Sequence, residues 1–174
     1  MAWFSRKNEN ISPDTQKKEQ PDGLWEKCPD CGEIAHKKQL ESSLWTCTKC
    51  DYHFRIGSEQ YVKILFDNNS FKELDKKMRS ADPLEFTDTK KYTERIQSTI
   101  KKLGMYDAVR TGTGKINNMD VAFGCMDFKF IGGSMGSVAG EKLARVIDKA
   151  LKNSSPLIII SQSGGARMME GAFS

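Results

Sequence analysis

Hydrophobic positions change their spacing several times along the chain, and each change predicts a different element. Residues 1–23, closing in "SPDTQKKEQPDG", have no apolar period and read as a flexible lead segment. A Cys-rich stretch follows over residues 24–56. Then "SEQYVKILFD" puts Tyr61, Ile64 and Leu65 on one face of a short helix behind a Ser58 cap. "DPLEFTDTKKYTERIQSTIKKLG" predicts a loop and a longer helix. Thr89 is its expected N-cap, Tyr92, Ile96 and Ile100 its apolar stripe, and Gly104 its stop. "DAVRTGTGKINNMDVAFGCMDFKFIGG" alternates in short β-type runs about "KINNMD", which predicts a hairpin or adjacent strands. "AGEKLARVIDKALKN" predicts a helix with Leu143, Val146, Ile147 and Ala150 on one side. "PLIIIS" predicts a buried strand, and Gly165 onward the start of another helix. Strand and helix alternating at this spacing make residues 57–174 a layered α/β domain.

Composition narrows the class. Of 174 residues, 38% are hydrophobic and 29% charged, as in a soluble globular protein. No run approaches the roughly 18 apolar residues of a membrane span, and "MAWFSRKNEN" lacks the apolar core of a signal peptide, so no membrane and a cytoplasmic location are expected. The net charge of +4 lies wholly in residues 57–174; residues 1–23 and 24–56 each balance to zero. A surplus this small is a solvated surface and demands no anionic partner.

"CPDCGEIAHKKQLESSLWTCTKC" carries the sharpest chemistry. Cys28, Cys31, Cys47 and Cys50 are spaced C-x2-C-x15-C-x2-C, two knuckles able to surround one Zn²⁺ with four thiolates across a small hairpin. About thirty residues bury too little surface to fold alone, so the metal supplies the missing stability. Disulfides do not suit the cytosol, and four Cys ligands leave no open position for catalysis. His36 and His53 are surplus to the ligand set, and Cys125 reads as a small core residue. Trp45, Tyr52 and Phe54 are of a type that stacks on bases, but a ribbon without net charge lacks the cationic surface nucleic acid needs. Packing or protein contact fits better.

Two glycine-rich turns compete for an active site. "GGSMG", Gly132–Gly136, matches the G-x-S-x-G nucleophile elbow, but both histidines precede Ser134, so unless sequence beyond residue 174 supplies the base, Ser134 reads as a turn residue whose hydroxyl caps the loop. "GTGK" at 112–115 is no phosphate loop, because Val109 and Ile116 stand at positions the motif requires to be Gly and Ser/Thr. In "SGGAR", consecutive glycines after a buried strand leave amides unshielded at a helix start. That is a place for developing negative charge.

Taken in series, "MAWF", "LWEKCPDCG…CTKC", "DPLEFTDTKKYTERI", "DFKFIGGSMGSVAGEK" and "SGGARMMEG" resemble the β subunits of bacterial acetyl-CoA carboxylase carboxyltransferases. The resemblance implies a crotonase/ClpP-like fold of layered ββα units, present in part, behind an N-terminal zinc ribbon. It implies transfer of the carboxyl group from carboxybiotin, on the biotin carboxyl carrier protein, to acetyl-CoA. The product is malonyl-CoA, in the committed step of fatty acid biosynthesis. The implied partners are an α subunit in an α2β2 assembly and a separate biotin carboxylase that uses ATP. By the same resemblance the amides of Gly164, Gly165 and Ala166 receive the thioester oxygen, and Gly132, Gly133, Ser134, Met135 and Gly136 shape the CoA pocket. Lys142 or Arg145 meets the CoA phosphates, and Arg167 pairs with Glu170 to brace the turn. The family usually carries Gln where Met169 stands, so no hydrogen-bonding role is carried over to that side chain. The family also continues well past "EGAFS", so the sequence reads as C-terminally incomplete and the fragment alone as inactive and poorly soluble. The alternative reading is a zinc-ribbon module binding nucleic acid or protein on an α/β scaffold.

Overall fold

The computed structural model describes residues 23–174, so the lead segment read over residues 1–23 lies, but for Gly23, outside the described residues. The chain divides into two compact units, with the boundary between Phe54 and Arg55.

In the first unit β1 (Trp25–Lys27) pairs antiparallel with β2 (Ile34–His36), and the Trp25 and His36 rings meet edge-on at 5.1 Å. The expected plain hairpin between the knuckles contains a helix instead, α1 (Lys37–Ser42), whose N-terminus is capped by His36 Nδ1 accepting from the Lys38 amide at 3.1 Å. His53 makes a polar contact within the ribbon, 3.4 Å from Thr46 Oγ1. Among the described residues of this unit only Cys28, Ala35, Leu40 and Cys47 are buried hydrophobics. So small a core cannot offset the conformational entropy of some thirty residues.

The second unit opens with α2 (Ser58–Leu65), β3 (Lys72–Leu74) and α3 (Tyr92–Leu103), followed by β4 (Val109–Ile116), β5 (Met119–Met126), α4 (Ser137–Asn153) and β6 (Leu157–Ile160). The strands form one mixed sheet in the order β3-β4-β5-β6. β3, β4 and β5 run antiparallel, and α4 carries the chain over to β6, which lies parallel to β5. The β4–β5 turn is Asn117-Asn118, both residues at positive φ (50° and 65°), the backbone of a type I′ hairpin.

β5 is buried from Val121 to Met126, which a strand can be only where both faces of its sheet are covered. Val121, Phe123 and Cys125 face Phe66 and the α2 side chains Tyr61, Val62 and Leu65. Ala122 and Met126 face α4, through Val146 and Ala150 and through Ala139 and Leu143. Burying a side chain like Phe123 contributes about 1.5–3 kcal/mol. On β6 the burial is partial, and Ile159 is 44% exposed, so this strand is less enclosed than its sequence predicts. On the expected helix faces, Ile64 and Ile147 are the exposed members.

Helix starts depart from expectation. Thr89 bonds Asp88, and the N-cap of α3 is Lys91. Ser58 is the first residue of α2, wholly buried, and Gly57 is its N-cap. The missing cap acceptor is the Asp127 carboxylate, whose Oδ2 accepts from the Ser58 amide at 3.0 Å. α4 is built alike: Gly136 is its N-cap and Glu170 Oε2 accepts from the Ser137 amide at 2.7 Å. In each case an acid distant in sequence stands at the positive helix end. Gly104 stops α3 as expected, at φ 68°.

Candidate functional site

In the ribbon the four Sγ atoms of Cys28, Cys31, Cys47 and Cys50 all lie within 4.8 Å of one another. Cys28 and Cys50 are 3.6 Å apart, Cys31 and Cys47 3.7 Å. Zn–S bonds of ~2.3 Å in a tetrahedron require sulfurs ~3.8 Å apart. No pair is disulfide-bonded. Each knuckle turns tightly, the Gly32 amide reaching Cys28 O at 3.0 Å and the Asp51 amide Cys47 O at 3.0 Å. Spacing, separation and donor type all fit Zn²⁺, and four thiolates fill its tetrahedral coordination.

In the second unit the two glycine turns lie side by side. The Met135 amide donates to Gly165 O at 2.9 Å, and the Arg167 amide to Met135 O at 2.7 Å, closing a parallel bridge between Met135 and Ala166. The Gly164 amide donates to Gly132 O at 3.0 Å, and a Cβ on Gly164 would stand 2.8 Å from that same oxygen. Gly165 has φ 109°, open to glycine alone at low cost. Gly164 is therefore glycine for close approach and Gly165 for its backbone angle.

This corrects the expectation of bare amides. The Gly164 N–H is engaged by a carbonyl, and the Gly165 N–H by Ser163 Oγ at 3.0 Å. Ala166 is the exception: its N–H has no partner among the described residues, and the residue is exposed. The bridge explains why. Both bonds flanking Ala166 are made to Met135, so Ala166's own N–H and C=O point to the opposite side. Where a helix is expected to start at Gly165, the chain forms a 3-10 segment over Met168–Phe173, interrupted at Gly171.

Of the other turn, Gly132 and Met135 are exposed, whereas Gly133 and Gly136 are buried. Ser134 is held by Arg167: its Oγ accepts from Arg167 Nε at 3.2 Å and its carbonyl from Arg167 Nη2 at 2.7 Å. A Cβ on Gly136 would come within 2.7 Å of Glu170 Oε1. Lys142 is corrected as well, being buried with its Nζ donating to Val109 O at 2.6 Å, out of reach of any phosphate. Arg145 is exposed and already paired with Glu141 and Asp75.

Beneath the turns lies a charged cluster only partly anticipated. Arg167 pairs with Glu170 at 3.3 Å, as expected, and with Asp107 at 2.8 Å, all three wholly buried. Tyr92 OH donates to Glu170 Oε1 at 2.5 Å and accepts from Arg167 Nη1 at 3.1 Å. Burial pushes the Asp107 carboxyl above its usual range despite Arg167. Burial opposes the charge on Glu170 too, but the Ser137 hydroxyl and amide together with Tyr92 hold it below its usual range. Burial and the bond to Glu170 push Tyr92 up to about 12. Sequence reading missed Tyr92 and Asp107, since an apolar-stripe position and a loop acid give no sign of pairing with residues 60 to 78 positions away. Met169, where the resembled family has Gln, packs against Tyr92 and Ile96 in the core.

Comparison with known proteins gives a consistent picture. Residues 58–174 match the family model described as carboxyl transferase domain, and residues 25–50 that described as acetyl-CoA carboxylase zinc finger domain. Acetyl-coenzyme A carboxylase carboxyl transferase β subunits are similar along all of this chain. Those of Pedobacter heparinus, Chlorobium limicola and Chlorobaculum tepidum are 54%, 53% and 53% identical, over 100% of this chain and 62% of theirs. The chain thus spans 62% of the length of these relatives. Among solved structures, transcarboxylase 12S with hydrolysed methylmalonyl-coenzyme A bound superposes with a TM-score of 0.54 at 24% identity, over 76% of this chain and 22% of that one. The β subunit of Pseudomonas aeruginosa geranyl-CoA carboxylase gives 0.50 at 16%, over 79% and 21%. The fold is therefore the layered, crotonase-like α/β fold of these carboxyltransferases.

Proposed function

The chain belongs to the carboxyl transferase domain family, and from that premise we propose that it serves as the β subunit of an acetyl-CoA carboxylase carboxyltransferase. The reaction moves a carboxyl group from carboxybiotin, on a carrier protein, to acetyl-CoA, giving malonyl-CoA. The partners on this reading are an α subunit, the biotin carboxyl carrier protein and biotin carboxylase, in the cytoplasm. The described residues contain no helix long and apolar enough to cross a membrane. Residues 24–54 act as a ribbon holding one structural Zn²⁺, and residues 55–174, two residues earlier than the sequence reading starts them, contribute the N-terminal part of the transferase domain.

The observation that carries the chemistry is the unpartnered amide of Ala166 beside a hydroxyl-held amide at Gly165. The N–C bond of carboxybiotin would break to give carbon dioxide, and the ureido nitrogen left anionic would take the proton that the acetyl methyl loses before its carbon attacks that carbon dioxide; the electrons of the broken C–H bond settle meanwhile on the thioester oxygen. A backbone N–H aimed at that oxygen gains strength as the oxygen becomes an enolate, and the chemical step needs no side-chain nucleophile. Ala166 supplies the first donor. Gly165 supplies a second once Ser163 Oγ rotates away. Gly164 acts as spacer, holding the turn against Gly132. The exposed surface of Gly132 and Met135 lies beside Ala166 and forms one wall for the CoA arm, with Gly133, Ser134 and Gly136 shaping that wall from behind.

The test is malonyl-CoA formation from acetyl-CoA and carboxybiotin by the full-length chain co-expressed with an α subunit. Turnover is expected. A well-formed complex that makes no malonyl-CoA overturns the assignment. Within it, Ala166→Pro removes one N–H and no hydrogen bond of the described fold, and kcat falls about 10²-fold with KM little changed. An unchanged kcat would remove Ala166 from the chemistry.

A further inference from the structure

Arg167 clamps one turn to the other from both its backbone and its side chain. Its amide bonds Met135 O, while its Nε and Nη2 bond the hydroxyl and the carbonyl of Ser134. The remaining nitrogen, Nη1, is held by Asp107, Tyr92 and Glu170. Phe130 closes one side, its ring 5.6 Å from the guanidinium carbon. Glu170 in turn holds the first amide of α4. The guanidinium thus joins four segments: the end of the loop before β4, the start of α3, the turn at Ser134 and the turn that contains Ala166.

We propose that Arg167 is a positioning residue whose guanidinium sets the spacing between the two glycine turns, and with it the place of the Ala166 amide. The inference rests on the proposed function for its catalytic consequence only. Among the described residues no other side chain bonds Ser134. Lysine offers one point of charge and cannot bond Ser134 and the acids together, whereas the planar fork of arginine reaches them in fixed directions. Ala166 precedes Arg167 directly, so a displaced guanidinium moves the donor with it. Reaction geometry is unforgiving at this scale, a shift of about 1 Å costing about 10²-fold.

The experiment is Arg167→Lys in the full-length protein, read in two ways. Amide hydrogen exchange, without substrate, reports on Met135 and Gly164, whose N–H groups bridge the turns. Both are expected to exchange faster by about tenfold, the loss of one hydrogen bond, while the β4–β5 amides keep their protection. In the assembled enzyme kcat falls about 10²-fold per folded molecule and KM for acetyl-CoA holds. Unaltered exchange at Met135 and Gly164, or a loss of activity no greater than the loss of folded protein, overturns the proposal. Should Arg167→Lys not fold, Ser134→Ala removes a single bond from the clamp, and the same amides must loosen in it or the proposal fails. If the wild-type complex makes no malonyl-CoA, the functional assignment falls, while the exchange still decides whether Arg167 spaces the turns.

Discussion

Glu170 is a carboxylate without solvent, satisfied instead by the Ser137 amide at 2.7 Å, the Ser137 hydroxyl at 2.6 Å, Tyr92 OH and Arg167. Removing the charge from such a pair leaves Arg167 short of a partner, which costs about 3–5 kcal/mol. Glu170→Gln keeps the shape, so its melting temperature is expected to fall at neutral pH. The pH dependence has a sign. Because the Glu170 carboxyl titrates below its ordinary 4.5, it contributes stability above that pH and loses it as the pH falls further. The gap between wild type and variant therefore narrows below about pH 4.5, and thermal melts from pH 7 to 3 measure it. A gap that stays constant refutes a charged role. Asp107 works the other way. Its carboxyl titrates above the usual range, so its share of stability is present at low pH and declines as the pH rises.

At the scale of elements, the ribbon and the helix starts teach different lessons. The four thiols of the ribbon stand at tetrahedral separations around a core of a few buried side chains. Deprived of a cation, four thiolates so close repel one another, and protonated thiols crowd. Chelation is expected to release one Zn²⁺ per chain and unfold residues 24–54, making that stretch the preferred site of proteolysis. Residues 55–174 form a unit of their own and keep their protection. Metal analysis and mass mapping of the cleavage sites decide it, and a ribbon that resists protease without zinc counts against a metal-built fold. Helix starts are less legible. The stop at Gly104 was legible because the signal is local, a left-handed glycine at the end of the apolar period. Caps for α2 and α4 were not, because the acceptors Asp127 and Glu170 lie 69 and 33 residues from the serines they bond.

For the second unit as a whole, one face of α4 and the adjoining side of β6 remain open. Ile147, Leu151 and Ile159 are 37%, 73% and 44% exposed, and a cavity of about 310 Å³ bordered by Ile147, Leu151 and Leu157 lies among them. Apolar surface of this kind binds hydrophobic dyes and associates with itself, and β6 has one pairing neighbour among the described residues, leaving its other edge for pairing. Residues 1–174 alone are expected to bind such a dye and to sediment above monomer mass. Leu151→Lys with Ile159→Lys should reduce both without changing the far-ultraviolet circular dichroism. A dye-free monomer would count against the expectation.

What the sequence determined by itself was whatever depends on near neighbours. Period and alternation place α2, α3 and α4 with β4, β5 and β6 but give no sign of the three-residue β3, the hairpin at Asn117-Asn118 follows from turn chemistry, and the matched Cys pairs specify a zinc ribbon. Tertiary structure decided which polar groups remain free. Two glycines at 164 and 165 suggest exposed amides, yet whether those amides are exposed depends on Gly132 and Ser163; the free one belongs to Ala166. Lys142, offered to the CoA phosphates by the resemblance, is buried with its Nζ donating to Val109 O instead. The cause is the same each time. A hydrogen-bonding group has no fate until its partner arrives, and here the partners arrive from turns and strands that only folding brings together.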